Sequence, residues 1–360
     1  MTALLSRQHV LFLVMVAFPD CEGRVTLNSS EHSKDPRVER VFCAFGHLDT
    51  LFPRTLFSPQ LELYATLPLP PRMTSISRRA PLLVPRSLVT QLMALYDYPH
   101  PVQRGRIIRG YDRPHAVRTA RMCAAVATAL GHGAEQVRQY QIACLLHDLG
   151  RAGLDRRLFG KIWSWAKERG IPTRPREWRA IHPGTTYGRE TEAFLQQYRH
   201  ALEADGITIT SWAKEQVEMR LGYSRRLARR LRSVRPAIKK MGVAWAPWMQ
   251  QVMLYYYYPE KLALAKPWVK QLAEILVACE QFEAYSNQRR GRDYYGRKKE
   301  TLIDAFAYLE KLQQDGMLSG AVTGALRRLT AQGEFDAILE EARGCAYTQG
   351  ERRALRAMGA

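Results

Sequence analysis

The chain has 360 residues, of which 46% are hydrophobic, and a formal net charge of +20 at pH 7. This composition is typical of a globular protein, and the length allows one large domain or two small ones. The positive charge favours anionic partners such as nucleotides, nucleic acid or an acidic membrane surface. The six cysteines include no Cys-x-x-Cys pair, which argues against a zinc knuckle and indicates a reduced, cytoplasmic protein.

The N-terminal part of the chain lacks a periodic pattern. Residues 1–85 carry scattered prolines and are interpreted as an extension that is irregular or not native. The apolar run Val10–Phe18 is too short to span a bilayer, and the sequence predicts no transmembrane segment. This run has the outline of a signal peptide, but a buried strand, a disordered leader or a start at Met73 explains it as well.

Two helices are predicted in the middle of the chain. Asp112 and Pro114 are typical of a helix start, and Gly131–Gly133 is expected to stop that helix. A second apolar-periodic run follows and is expected to end at Gly150. Because the connecting loop is short, the two helices should be antiparallel neighbours.

This arrangement brings together three side chains that can bind a metal. His115 lies at the start of the first helix, and His147 and Asp148 lie near the end of the second. Two imidazole nitrogens and a carboxylate oxygen suit Fe, Mn, Ni or Zn, with one or two ions per chain.

The order of these motifs resembles that of the HD-domain phosphohydrolases, and most closely a divergent HD-GYP branch. The matching stretches extend over roughly residues 105 to 312 and are His115, His147–Arg151, Arg176–Pro183, Ile275–Ala284 and Arg292–Tyr294. The resemblance implies an all-α helical bundle in residues 86–315, with a basic insertion near 205–245. Residues 316–360 are then expected to form a C-terminal helical tail.

The resemblance also implies roles for individual residues. The expected metal ligands are His115, His147, Asp148, His182 and Glu280. Asp148 and Arg151 are the expected catalytic residues, and the expected substrate-binding residues are Arg151, Arg118, Arg289, Arg292 and Tyr294. Glu283, one turn after Glu280, is an alternative acceptor for a ligand histidine. His182 follows Ile181 on an apolar face, and its alternative role is that of a core histidine.

The chain also departs from the family pattern. Tyr257–Pro259 stands where the family has Gly-Tyr-Pro, and Met249 and Gln250 occupy the positions of its paired histidines. Glu280 replaces the final aspartate and lies along an apolar helix face. An unpaired carboxylate is costly to bury there, so Glu280 is expected to have a cation partner, either a metal or an arginine. His200 is a candidate for a displaced ligand.

A run of positive charge lies between Arg220 and Lys240, without an acidic residue. This basic segment is predicted to be helical, with Pro236 ending or kinking it. It is interpreted as a surface for nucleic acid or another anion, formed by Arg225, Arg226, Arg229, Arg230 and Arg232. An intramolecular partner for acidic helices is the alternative.

The resemblance implies a metal-dependent phosphoric ester hydrolase that acts through metal-activated water. The implied substrate is a nucleotide or a cyclic dinucleotide such as cyclic di-GMP, and a mononuclear nucleotide phosphohydrolase is a close variant. The alternative is a degenerate HD domain that serves as a non-catalytic nucleotide sensor or nucleic-acid-binding adaptor. The sequence does not determine the oligomeric state.

Overall fold

A computed structural model describes residue 80 and residues 82–101, 103–286 and 301–358. The predicted all-α class is confirmed, because this part of the chain contains fourteen α-helices and a sheet of only two short strands. Among the described residues, no helix combines the length and apolar character needed to cross a bilayer. Most of the predicted N-terminal extension lies outside the described residues, as do Arg289, Arg292 and Tyr294.

The helices are numbered here in chain order. They are α1 Arg86–Ala94, α2 Arg113–Ala129, α3 Ala134–Leu145, α4 Arg156–Glu168, α5 Pro175–Ile181, α6 Glu190–Ala204, α7 Ser211–Glu218, α8 Tyr223–Lys240, α9 Pro247–Leu254, α10 Pro267–Ser286, α11 Leu302–Gln314, α12 Gly320–Gln332, α13 Asp336–Arg343 and α14 Gln349–Ala357. Two 3-10 turns span Leu149–Arg151 and Pro259–Leu262. The strands β1 Tyr98–Pro99 and β2 Ile107–Ile108 pair antiparallel.

Helices α2 and α3 are the two that were predicted from the sequence, and they pack against each other. The first begins after Asp112 with Pro114 in its first turn, as expected. The second ends at Leu145 rather than at Gly150, and a 3-10 turn carries the chain onward. Gly150 has another role, since a Cβ atom there would lie 2.5 Å from the ring of Tyr223. The glycine therefore permits α8 to approach this turn closely.

The main hydrophobic core surrounds α10, which packs against α2, α9, α11, α12 and α13. Helix α10 contributes fully buried side chains such as Leu272, Ile275 and Phe282. Helices α12–α14, in the region predicted to be a C-terminal tail, add Leu326, Leu355 and others to the same core. Burial of this apolar surface is the main source of stability for the bundle.

A second hydrophobic cluster is formed by helices α4–α7, between Leu154 and Leu221. Its centre is aromatic: the rings of Trp163 and Phe194 lie 5.5 Å apart, and those of Trp178 and Phe194 lie 5.9 Å apart. The chain therefore builds two adjacent apolar clusters, and the segment 154–221 forms the smaller one.

Helix α8, the predicted basic helix, packs against the 3-10 turn Leu149–Arg151, which directly follows His147 and Asp148. Arg226 is only 2% exposed and donates hydrogen bonds to the carbonyls of Gly150 at 2.7 Å and Ala152 at 2.8 Å. The hydroxyl of Tyr223 donates to the carbonyl of His147. This part of the basic helix thus supports the turn from inside the protein.

Pro236 does not end α8, which continues to Lys240. Proline removes one backbone donor, so the carbonyl four residues earlier loses its usual helical partner. Val234 and Ile238, on either side of the proline, are both buried in the main core. Their packing holds the last turns of the helix in place despite the missing hydrogen bond.

We expect Arg226→Met to destabilise the fold by about 2–4 kcal/mol, because it leaves two buried carbonyls without their donor. Urea denaturation measures this loss. The control is Arg232→Met, an exposed position on the same helix, which should change the free energy of unfolding by less than about 0.5 kcal/mol. Equal stabilities of the two variants would contradict the supporting role of Arg226.

Candidate metal centre

The structure brings His115, His147 and Asp148 together as a buried His/Asp cluster. One ligand atom from each residue lies within 4.8 Å of the other two. The Nε2 atoms of His115 and His147 are each 3.8 Å from Oδ2 of Asp148. All three residues are at most 5% exposed. The cluster can therefore hold a metal ion in a site that is shielded from bulk water.

His147 is oriented by a backbone hydrogen bond. Its Nδ1–H donates to the carbonyl of Cys144, in the last turn of α3, at 2.7 Å. This contact leaves the lone pair on Nε2, which faces Asp148. Nε2 of His147 is buried and makes no hydrogen bond with any described residue. A buried polar atom without such a bond costs free energy, and coordination to a cation removes that cost.

His115 is oriented by a side chain from α10. Its Nδ1 contacts the Glu283 carboxylate, which is fully buried. Arg118, one turn further along α2, binds the same carboxylate through Nε at 2.7 Å. A carboxylate that receives the Nδ1–H of a histidine directs the Nε2 lone pair outward and increases its basicity. Glu283 thus contacts the ring of a candidate ligand histidine, as the sequence suggested for it in place of direct binding to the metal.

Arg151 lies on the other side of Asp148. Its Nε is 3.5 Å from Oδ1 of Asp148, and its Nη2 donates to the hydroxyl of Tyr257 at 3.2 Å. Burial alone would lower the pKa of Arg151, but the nearby Asp148 and Tyr257 raise it well above its ordinary value. Arg151 therefore stays charged while Oδ2 of Asp148 faces the histidines. Tyr257 also stacks on Tyr223 with ring centres 4.5 Å apart.

Other predicted ligands lie outside the cluster. His182 follows α5, is half-buried and packs on Trp178 with ring centres 4.1 Å apart. Glu280 is 6% exposed, and its negative charge is one of the causes that raise the pKa of Arg151 and of Tyr257. His200 is exposed on α6. Within the described residues, the three-residue group is thus the part of the predicted ligand set that converges.

The predicted anion surface on α8 is largely engaged by the protein itself. Three of its arginines contact carboxylates, in the pairs Arg225–Glu192, Arg226–Glu215 and Arg229–Glu218. A fourth, Arg230, donates to the carbonyl of Leu95 at 3.1 Å. These contacts match the alternative in which the basic segment is an intramolecular partner for acidic helices, while Arg232 points to solvent.

Two residues hold the site in a way that the sequence did not reveal: Tyr223 was not singled out, and Arg226 was interpreted only as part of the anion surface. The Tyr223 hydroxyl donates to the carbonyl of His147 and Arg226 donates to that of Gly150, each 76 residues away along the chain. Both residues lie in the basic segment Arg220–Lys240, where the density of positive charge indicated a surface rather than a buried supporting role. The sequence signal for this contact was Gly150, because a glycine permits another side chain to approach the backbone closely.

Removal of a ligand should abolish metal binding. We expect the purified protein to bind at least about one Mn, Fe, Ni or Zn ion per chain, and His147→Ala to lose it, as elemental mass spectrometry would show. His182→Ala is the matched control and should keep its metal, because that imidazole lies against Trp178. Equal metal contents of the two variants would rule out the cluster as the binding site.

A second prediction concerns the orientation of His115. Glu283→Gln should weaken metal affinity about 10- to 100-fold, because a neutral amide supports the imidazole less strongly. Glu341→Gln is the matched control: this residue touches Arg118 at 3.3 Å but is exposed. Isothermal titration with Mn²⁺ measures both affinities, and an unchanged affinity in Glu283→Gln would contradict the role of Glu283.

Comparisons with known proteins do not assign the chain to a family. No protein-family model, no curated protein and no solved structure matches it. The interpretation of the His/Asp cluster therefore rests on its geometry and on the order of the motifs in the sequence.

Proposed function

We propose that the protein is a metal-dependent phosphohydrolase of the HD type, acting on a nucleotide or a cyclic dinucleotide. The observation that carries the proposal is the buried His/Asp cluster. Both imidazoles are held through Nδ1 by other groups, and both Nε2 atoms lie 3.8 Å from the same carboxylate oxygen.

The donor set fits a divalent transition metal. His115 and His147 would supply nitrogen and Asp148 oxygen, a mixture that suits Fe, Mn, Ni or Zn. Three protein ligands leave coordination positions open, as in catalytic rather than structural sites. A bound divalent ion lowers the pKa of a water molecule and polarises a phosphoryl oxygen.

Arg151 is the residue best placed to bind the phosphate of the substrate. Its guanidinium lies beside Asp148 and is anchored by Tyr257. Its Nε is buried and makes no hydrogen bond with any described residue. A guanidinium can donate two parallel hydrogen bonds to a phosphate, which would hold the phosphorus in one orientation. Burial of the cluster excludes bulk water and strengthens these interactions.

One observation favours a second candidate function. Glu280 and His182 lie outside the group of three ligand atoms, so the convergent set is smaller than the resemblance implies. A domain of this kind would bind metal and nucleotide without turnover and would act as a sensor.

Asp148→Asn should separate the two functions. We expect hydrolysis of bis(p-nitrophenyl) phosphate and of cyclic di-GMP, with kcat/KM about 10³-fold lower in the variant, or about 4 kcal/mol of lost transition-state stabilisation. Asp315→Asn, the same chemical change at an exposed position on the protein surface, should leave the rate unchanged. Metal binding without hydrolysis in the wild-type protein would favour the sensor, and absence of both would reject the enzyme.

A further inference from the structure

The two halves of helix α8 differ in how their positive charges are used. In the first half, three arginines pair with carboxylates and a fourth donates to a backbone carbonyl. The second half carries four exposed cations that make no hydrogen bond or ion pair with any described residue: Arg232, Arg235, Lys239 and Lys240. These four side chains form the basic end of α8, whose charge the described part of the chain does not neutralise.

No acidic residue lies close to the basic end along the chain. Between Glu218 and Glu260 the sequence contains no aspartate and no glutamate. Arg235 lies three residues after Arg232 and four residues before Lys239, so these like charges are neighbours on one face of the helix. Such neighbours repel each other. A negatively charged partner would remove this repulsion.

A groove with a volume of about 280 Å³ opens beside these cations. Helix α8 contributes Arg232, Arg235 and Ile238 to its lining, and the chain around the start of α9 contributes Trp245 and Gln250. The described lining includes no acidic residue. Trp245 is half-buried, so part of its indole is accessible. The groove thus combines an aromatic side chain with two guanidinium groups that are not neutralised.

An acidic membrane surface is a poor match for this half of α8. Helices that bind membrane surfaces insert an apolar face next to their basic one. Here the apolar side chains Leu231, Val234 and Ile238 are buried in the main core and are at most 8% exposed. They are therefore not available to a bilayer.

The groove and the cations together match a strand of nucleic acid. Successive phosphates neutralise a row of cations, and an arginine can donate two parallel hydrogen bonds to one phosphate. The basic end extends over about 12 Å at 1.5 Å per residue, which suits several phosphates rather than one. An unpaired base is flat and stacks on an aromatic side chain. An acidic peptide would neutralise the cations but would bring no base to the groove.

We infer that the basic end of α8 and Trp245 form a binding site for single-stranded nucleic acid, with phosphates on the cations and one base on Trp245. Only Arg232 belongs both to this site and to the anion surface that the sequence predicts. The inference goes beyond the proposed function, because the lining of the groove includes no residue of the His/Asp cluster.

The test is binding of the full chain to a fluorescein-labelled oligothymidylate of about 12 nucleotides, measured by fluorescence anisotropy at several salt concentrations. The double variant Arg232→Gln with Arg235→Gln should bind at least about tenfold more weakly, equivalent to about 1.4 kcal/mol. Its plot of log affinity against log salt should be shallower by about 1.4, because each lost phosphate contact removes about 0.7 from the slope.

The matched control removes the same charge elsewhere. Arg328 on α12 and Arg353 on α14 are exposed and make no hydrogen bond or ion pair with any described residue. The double variant Arg328→Gln with Arg353→Gln should therefore bind the oligonucleotide as the wild type does.

Trp245→Leu tests the stacking contact. This variant should bind about tenfold more weakly with an unchanged salt slope, because a stacked base releases no counterions. Trp245→Phe keeps an aromatic ring and should restore most of the affinity. Trp245 also packs against the main core. The arginine variants, at exposed positions, therefore test the inference even where Trp245→Leu is unstable.

Competition identifies the partner. Unlabelled oligothymidylate should displace the probe, whereas polyglutamate and a blunt duplex at the same concentration of negative charge should displace little of it. Displacement by polyglutamate as strong as by oligothymidylate would assign the surface to an acidic peptide and overturn the inference. Preference for the duplex, absence of binding at physiological salt, or equal binding by the Arg232–Arg235 double variant and the wild type would also overturn it.

Discussion

The hydrogen bonds of Arg226 are the contacts on which the candidate site depends. The chain between α3 and α4 has little regular structure, and its carbonyls point into a crowded interior. Arg226 donates to two of them, at Gly150 and Ala152, and pairs with Glu215 at 2.8 Å. A buried guanidinium is stable only when its donors are satisfied. Here those donors fix the turn that presents His147 and Asp148.

From this turn, charges alternate in sign through the interior. Arg118 binds Glu283, which contacts His115, while Asp148 lies between the histidines and Arg151. Each carboxylate thus faces a cation or a ring nitrogen, which lowers the cost of burying it. Substitution of one of these residues would leave its neighbour buried with an uncompensated charge. The residues of this series of buried charges therefore act as a unit.

Much of this arrangement could be predicted from local sequence. Apolar periodicity and helix-end residues identified α2 and α3 and brought His115 close to His147 and Asp148. Glu283 lies one turn from Glu280, which made it an alternative acceptor. The supporting role of Arg226 could not be predicted in this way. Its charge suggested a surface position, and the two carbonyls to which it donates lie 74 and 76 residues away.

The two hydrophobic clusters separate the His/Asp cluster from the segment 154–221. His115, His147 and Asp148 extend from elements that pack in the main core, whereas helices α4–α7 form the smaller cluster. Substitutions among the aromatic side chains of the smaller cluster should therefore alter the packing of α4–α7 while the His/Asp cluster keeps its geometry. The two parts of this fold can accept sequence change at different rates.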